Sequence, residues 1–314
     1  MTKREPKLAL PGRFSIPQLA VVPVLPSDPS MGDAVRVAIA SALERLVEHD
    51  PLARRGEAEG VHQVRVALRR LRSDLRTLND AVDPEWRQRI EPRLRGIGGA
   101  LGEARDLDVL TDRLQRDADG TAALAPLFEH LTQRRAAART ALRHALEGAE
   151  YIALVDELVA AIQVPPTGRA ADQAARDALP RLAMSAWRRL ERRARHLRPD
   201  SPDADFHRVR IAAKRARYAS ELAARLLHGV PARGAERFAR KIAKAQERLG
   251  FLQDAVVAEA TIRATRGEAA NGGSYAFEAG RLAERQRQHA RDARSAFLEA
   301  WPGLRRSKWR SWAA

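Results

Sequence analysis

Between Val61 and Leu78 the chain reads VHQVRVALRRLRSDLRTL, with five arginines, one histidine and one acid. His62, Arg65, Arg69, Arg72 and Arg76 recur at spacings of three and four, which on a helix turning about 100° per residue places them in one stripe. At a rise of 1.5 Å per residue that stripe is roughly 21 Å long. The chemistry such a row supports is anion binding. Each guanidinium offers a planar fork of donors to a pair of phosphate oxygens. An imidazole at its head can donate to phosphate too, more strongly as pH falls toward its pKa. Without an anion the row is costly, because Arg65–Arg69, Arg69–Arg72 and Arg72–Arg76 are like-charge neighbours at about 0.2–0.5 kcal/mol each. For one such row, a solvated face or pairing with acids of other helices is the competing reading.

The row recurs in FHRVRIAAKRARYASEL, Phe206 to Leu222. A shift of 145 residues lays His62 on His207, Arg65 on Arg210, Arg69 on Lys214, Arg70 on Arg215 and Arg72 on Arg217. Glu221 takes the place matching Arg76, so the second row is one residue shorter. A shift of 148 then lays Arg89 on Arg237, Arg93 on Lys241, Leu101-Gly102 on Leu249-Gly250 and Asp106 on Asp254, and Lys244 extends the second copy. Two copies of one costly pattern argue against a chance solvated face. If the helix after each row lies beside it, Arg89, Arg93, Arg237, Lys241 and Lys244 wall the same groove, with salt bridges to acids as the alternative. Asp106 and Asp254 either orient an arginine or lysine or cap the following helix. His62 and His207 either donate to phosphate, accept a phosphoryl group or pack as core histidines.

The elements that position these rows are helices throughout. The chain is rich in Ala, Leu and Arg, 5% aromatic and free of alternating apolar runs. Helical periodicity predicts segments at about 30–49, 58–79, 84–99, 102–116, 121–146 and 151–162. After the interruption QVPPTGR it predicts segments at about 170–198, 203–228, 231–249, 251–267 and 274–299. Asp83-Pro84 reads as an N-cap followed by proline at the first helical position. In the first row Val61, Val64, Leu68, Leu71, Leu75 and Leu78 mark the buried face. The repeat therefore predicts an all-α fold of two homologous helical bundles, 30–162 and 170–300, joined by a linker at 163–169 around a central basic groove. Residues 1–29, broken by six prolines, read as an extended or disordered arm, and 301–314 as a tail of tryptophans and basic residues, docked or loose.

Composition narrows the function. Of 314 residues 45% are hydrophobic, enough for real cores, and 56 Lys and Arg against 40 Asp and Glu give a net charge of +16. That excess predicts an anionic partner: nucleic acid, anionic membrane or free polyphosphate. The absence of cysteine excludes disulfides, thiolate catalysis and cysteine-based zinc sites and is compatible with the cytoplasm. No stretch reads as a transmembrane helix or signal peptide. GIGGALG, Gly96 to Gly102, lacks the lysine and preceding strand of a phosphate loop and reads as close helix packing or a helical break. No histidine pair has metal-ligand spacing, so no metal or cofactor is expected.

HQVRVALRRLRSDLRTL and HRVRIAAKRARY, each followed by a helix and an LG…D segment, resemble the CHAD domain, the conserved histidine α-helical domain, over about residues 30–300. The resemblance implies two related helical bundles around a basic surface, binding of inorganic polyphosphate and association with polyphosphate granules. It implies His62, Arg65, Arg69, Arg72, His207, Arg210, Lys214 and Arg217 as polyphosphate contacts. CHAD domains are often fused to a triphosphate-hydrolysing CYTH domain with the signature ExExK; Glu57-Ala58-Glu59 lacks that lysine, so a stand-alone, non-catalytic binder is expected. Gln253 stands where the first copy has Arg105. A nucleic-acid binder is the first rival, though the first row has no aromatic on which bases could stack. A polyphosphate-processing enzyme or histidine phosphocarrier is the second, though the rows offer almost no carboxylate cluster to hold a divalent metal.

Overall fold

The computed structural model describes residues 24–268 and 273–313, together with a small antiparallel pair, β1 (Ala9–Leu10) and β2 (Phe14–Ser15). The rest of the expected N-terminal arm lies outside the described residues. Apart from that pair, the described elements are helices: α1 (Met31–Arg54), α2 (Ala58–Thr77), α3 (Pro84–Asp117), α4 (Ala125–Glu147), α5 (Ala149–Gln163), α6 (Ala175–Ala194), α7 (Asp203–Leu226), α8 (Gly229–Glu268) and α9 (Gly273–Leu304), with short 3-10 turns before α4 and after α9. No helix among the described residues is long and apolar enough to cross a membrane.

Helix starts follow the local chemistry. Ser30 caps α1 in a reciprocal box, its Oγ accepting from Asp33 N while Asp33 accepts from Ser30 N. Asp83 caps α3 by accepting from Trp86 N at 2.7 Å, with Pro84 in the first turn. The glycines are the main correction. A break was expected at 99–102 and another at 249–251, yet α3 and α8 run through both places as single helices of 34 and 40 residues. An interior glycine costs about 1 kcal/mol relative to alanine, and here Leu94, Ile97 and Leu101 on α3 and Leu249 and Leu252 on α8 are fully buried on either side. Burial of a leucine contributes about 1.5–3 kcal/mol, so packing outweighs propensity. Pro51, Pro92, Pro180 and Pro302 are likewise accommodated inside helices.

The predicted apolar face of α2 is the buried one: Val61, Val64, Leu68, Leu71, Leu75 and Leu78 are each at most 2% exposed. At the corresponding positions α7 carries Phe206, Val209, Ala213, Ala216, Ser220 and Ala223, all buried. The interruption after α5 is pinned, with Asp83 N donating to Pro166 O and Gly168 N to Ala81 O. A side chain at Gly168 would meet the Val82 carbonyl at 2.6 Å, so only glycine fits. The C-terminal tail is docked. Trp301 stacks on Trp187 at 5.6 Å and on Phe297 at 5.8 Å, and Trp312 is buried over Gly234.

One buried cluster runs through both halves of the chain. The helices α2 and α7 are joined directly. Arg225 on α7 donates to the fully buried Asp74 of α2 at 2.8 Å, and Arg69 on α2 donates to the hydroxyl of Tyr218 on α7 at 3.1 Å. Arg70 pairs with Glu221 at 2.7 Å.

Candidate anion-binding site

With α2 and α7 tied together, their basic rows open on one cavity of about 640 Å³, closed on its third side by α6. From α2 it takes Arg69, Arg72 and Arg76; from α7, Lys214 and Arg215; from α6, Arg181 and Arg189. Among the described residues Asp80 is the only acid in the lining, and it accepts from Asn79 and from Arg169 outside. Of the seven cations, Arg76 alone has a carboxylate partner among the described residues, Glu91 at 3.1 Å. The buried Nε of Arg72 has no acceptor among the described residues. Burial, and then Arg76 and Arg95, hold the Arg72 guanidinium below its usual pKa.

The rows continue beyond the cavity toward the starts of α2 and α7. Arg65 holds Asp106 with two hydrogen bonds, 2.7 and 3.2 Å, so Asp106 orients an arginine, one of the two roles expected of it. Its counterpart Asp254 is half-buried and pushed up in pKa, first by burial, while nearby Arg210, Arg113 and Lys214 oppose that shift. Arg210 is pushed down by burial, with Arg69 and Arg65 adding to the effect and Asp254 opposing it. Lys214 is the most affected. Burial together with Arg210, Arg69 and Arg65 lowers it from 10.5 to about 7, and Asp106 offsets only part. Gly102 is buried with the Arg65 guanidinium over it, whereas side chains at Gly96, Gly98 and Gly99 would meet nothing within 4 Å, so the close helix packing expected of the glycine run is not found at those three positions. His62 is half-buried and lowered in pKa by burial and then Arg105. His207 is exposed, its Nδ1 2.6 Å from Gln253 Oε1.

The structure thus brings His62, Arg65, Arg69, Arg72, Arg76, Arg210, Lys214 and Arg215 together with Asp106 and Asp254. It places the others elsewhere. Arg70 and Arg217 converge on Glu221, both at 2.7 Å, with Tyr218 between them. Arg89 and Arg93 face α5, at 3.9 and 2.7 Å from Glu157, and Arg93 also reaches Glu150 at 3.3 Å. Arg237, Lys241 and Lys244 are exposed on α8, with Lys241 over the ring of Trp309 at 4.5 Å. None of these five lines the cavity, so the expected second wall is supplied by α6 instead. Arg181, Arg189 and Tyr218 had not been singled out in the sequence. The available signal was RRLERRAR, Arg188 to Arg195, five arginines and one acid. Among the described residues no group of three or more His, Asp or Glu is placed to hold a metal ion.

Comparison with known proteins agrees with this architecture. The chain is 31% identical over 251 residues to two proteins of Mycobacterium tuberculosis, named Uncharacterized protein MT2285 and Uncharacterized protein Rv2226. Each match covers 74% of this chain and 46% of the relative, so the chain spans about half the length of these curated relatives. The solved structure of PptA from Streptomyces chartreusis superposes with a TM-score of 0.71 at 25% identity, covering 87% of this chain and 99% of that one. The crystal structure of the CHAD domain from the plant Ricinus communis superposes with a TM-score of 0.72 at 24% identity, covering 93% and 98%. The CHAD domain family model matches residues 37–263, which span α2, α6 and α7 and every cation of the cavity, and the chain belongs to the CHAD domain family, a family linked to polyphosphate.

Proposed function

We propose that this protein binds inorganic polyphosphate in the cavity between α2, α6 and α7 and performs no chemistry on it. The observation that carries this reading is the lining itself: seven cations from three helices against one acid that is already engaged. A linear chain of phosphates supplies one counter-charge after another and relieves repulsion that the protein's own carboxylates leave in place. The internal repeat supports the same reading, since both copies of the row contribute cations. Granule association follows as the cellular expectation for a protein that holds long polyphosphate.

A nucleic acid would find the same charge but little else. Tyr218 is the one aromatic in the lining; it is 4% exposed and its hydroxyl accepts from Arg69, so no ring is free for base stacking. The test is titration with long-chain polyphosphate and with single-stranded DNA and RNA of equal total charge in one buffer. Polyphosphate binds more tightly than either; equal or tighter nucleic-acid binding overturns the assignment. A phosphocarrier would leave phosphohistidine at His62 or His207 after incubation with a phosphodonor, detectable by mass spectrometry at alkaline pH, and none is expected.

A further inference from the structure

The cavity uses only part of the charge that α6 displays. Arg181 and Arg189 line it, but Arg188, Arg192 and Arg193 on the same helix are exposed as well. None of the five has a carboxylate within ion-pair distance among the described residues; Arg181 and Arg193 reach only backbone carbonyls, of Asp177 and Arg208. Glu191, the acid in their midst, is taken by Arg305 from the tail at 3.3 Å. Four exposed arginines on α8 and α9, Arg240, Arg263, Arg281 and Arg291, each sit on a glutamate instead.

The direction of this strip matters. At 100° per residue, Arg192 and Arg193 straddle the line that Arg181 and Arg189 define, one turn further on. The apolar side of the helix, Ala183, Trp187, Leu190 and Ala194, is buried on the opposite face. The field is also continuous with the cavity: burial first lowers the pKa of the cavity residue Arg215, and Arg76, Arg193 and Arg189 lower it further.

We infer that the exposed arginines of α6 beyond the cavity, Arg192 and Arg193, form an outlet track along which a bound phosphate chain continues out of the cavity, so that the occupant is a linear polyanion longer than the cavity rather than a compact phosphate. This rests on the cavity being the polyphosphate site. A compact anion saturates the cavity cations and leaves the strip bare; a long chain neutralises both in one binding event and releases more counterions.

The experiment measures affinity for a short polyphosphate of a few phosphates and for one of about a hundred, across a salt series, for the wild type, Arg192→Glu/Arg193→Glu, the charge-neutral Arg192→Gln/Arg193→Gln and, as the cavity control, Arg69→Glu. Circular dichroism confirms that each variant is folded. The Glu pair is expected to weaken long-chain binding roughly tenfold or more and to flatten its salt slope, with the Gln pair intermediate and short-chain binding changed less than about twofold. Equal loss for both lengths overturns the track, since the substitutions then act only through the general field. No loss for the long chain while Arg69→Glu abolishes binding overturns it too and leaves the cavity assignment standing. If Arg69→Glu binds both lengths normally, the cavity assignment itself fails.

Discussion

The rows on α2 and α7 share a sequence pattern but not an environment. On α2, Arg65, its side chain 23% exposed, is fixed by an Asp106 that is 67% exposed, so the carboxylate of the pair stays in water. On α7 the matching Arg210 and Asp254 are both half-buried, and burial works against the charged form of each. At the next position Arg69 donates to Tyr218, whereas its counterpart Lys214 is driven down to about 7. The apolar faces differ as well: mostly leucines under the α2 row, mostly alanines under the α7 row. One recurring pattern therefore sits in two environments: on α2 burial lowers the pKa of His62 and Arg72, and on α7 it lowers those of Arg210, Lys214 and Arg215, Lys214 the furthest.

The largest expected effect tests the clamp that sets the rows face to face. Arg225→Ala leaves the carboxylate of Asp74, 1% exposed, without its ion-pair partner. Removing one member of a buried pair typically costs about 3–5 kcal/mol, and urea unfolding should show a loss near the low end because Arg70 lies close enough to lower the Asp74 pKa. An unchanged midpoint would mean that α2 and α7 are held by packing alone.

The next effect separates the rows by pH. In the free protein Lys214 titrates near 7, and an anion in the cavity favours its charged form, so binding takes up a proton. Affinity for polyphosphate should rise as pH falls from 8 to 6, by up to about tenfold per pH unit for one linked proton. Lys214→Arg should remove most of that slope, which distinguishes Lys214 from His62. Without ligand the sign reverses. The folded pKa lies below the unfolded one, so the unfolded chain holds more protons between about 7 and 10.5 and stability should rise with pH across that window.

Tyr218→Phe is a smaller perturbation. It deletes the acceptor for Arg69 Nε and leaves the ring in place, at about 1 kcal/mol or a fivefold loss of affinity. Smallest of all are reversals at Arg89 and Arg93. Their partners on α5 hold them outside the cavity, so Arg93→Glu should weaken binding less than twofold while lowering stability modestly. Isothermal titration and thermal melts on the same preparations separate the two.

Much of this was legible in the sequence. The all-helical class, the α2 core face and the two rows followed from periodicity and repetition, because a pattern that recurs in the sequence constrains its own interpretation. Helix continuity through Gly96–Gly102 and through Gly250 was not, since a glycine's local cost is visible in sequence and the burial that offsets it is not. The pairing of Arg93 was half-visible: Glu150 and Glu157, seven residues apart, lie on one face of α5, but which helix they meet is a tertiary fact. The α6 wall was missed for the same reason, because nothing local says that Arg181 and Arg189 face Arg69.

The central claim is that cations from both rows meet one phosphate chain. It is tested most directly by polyphosphate titrations from low to moderate salt with the wild type, Arg69→Glu and Lys214→Glu. Each reversal, one from either half of the chain, should weaken binding strongly and reduce the dependence of log K on log salt, with the helical circular dichroism unchanged. Wild-type affinity and salt slope in either folded variant would contradict the account.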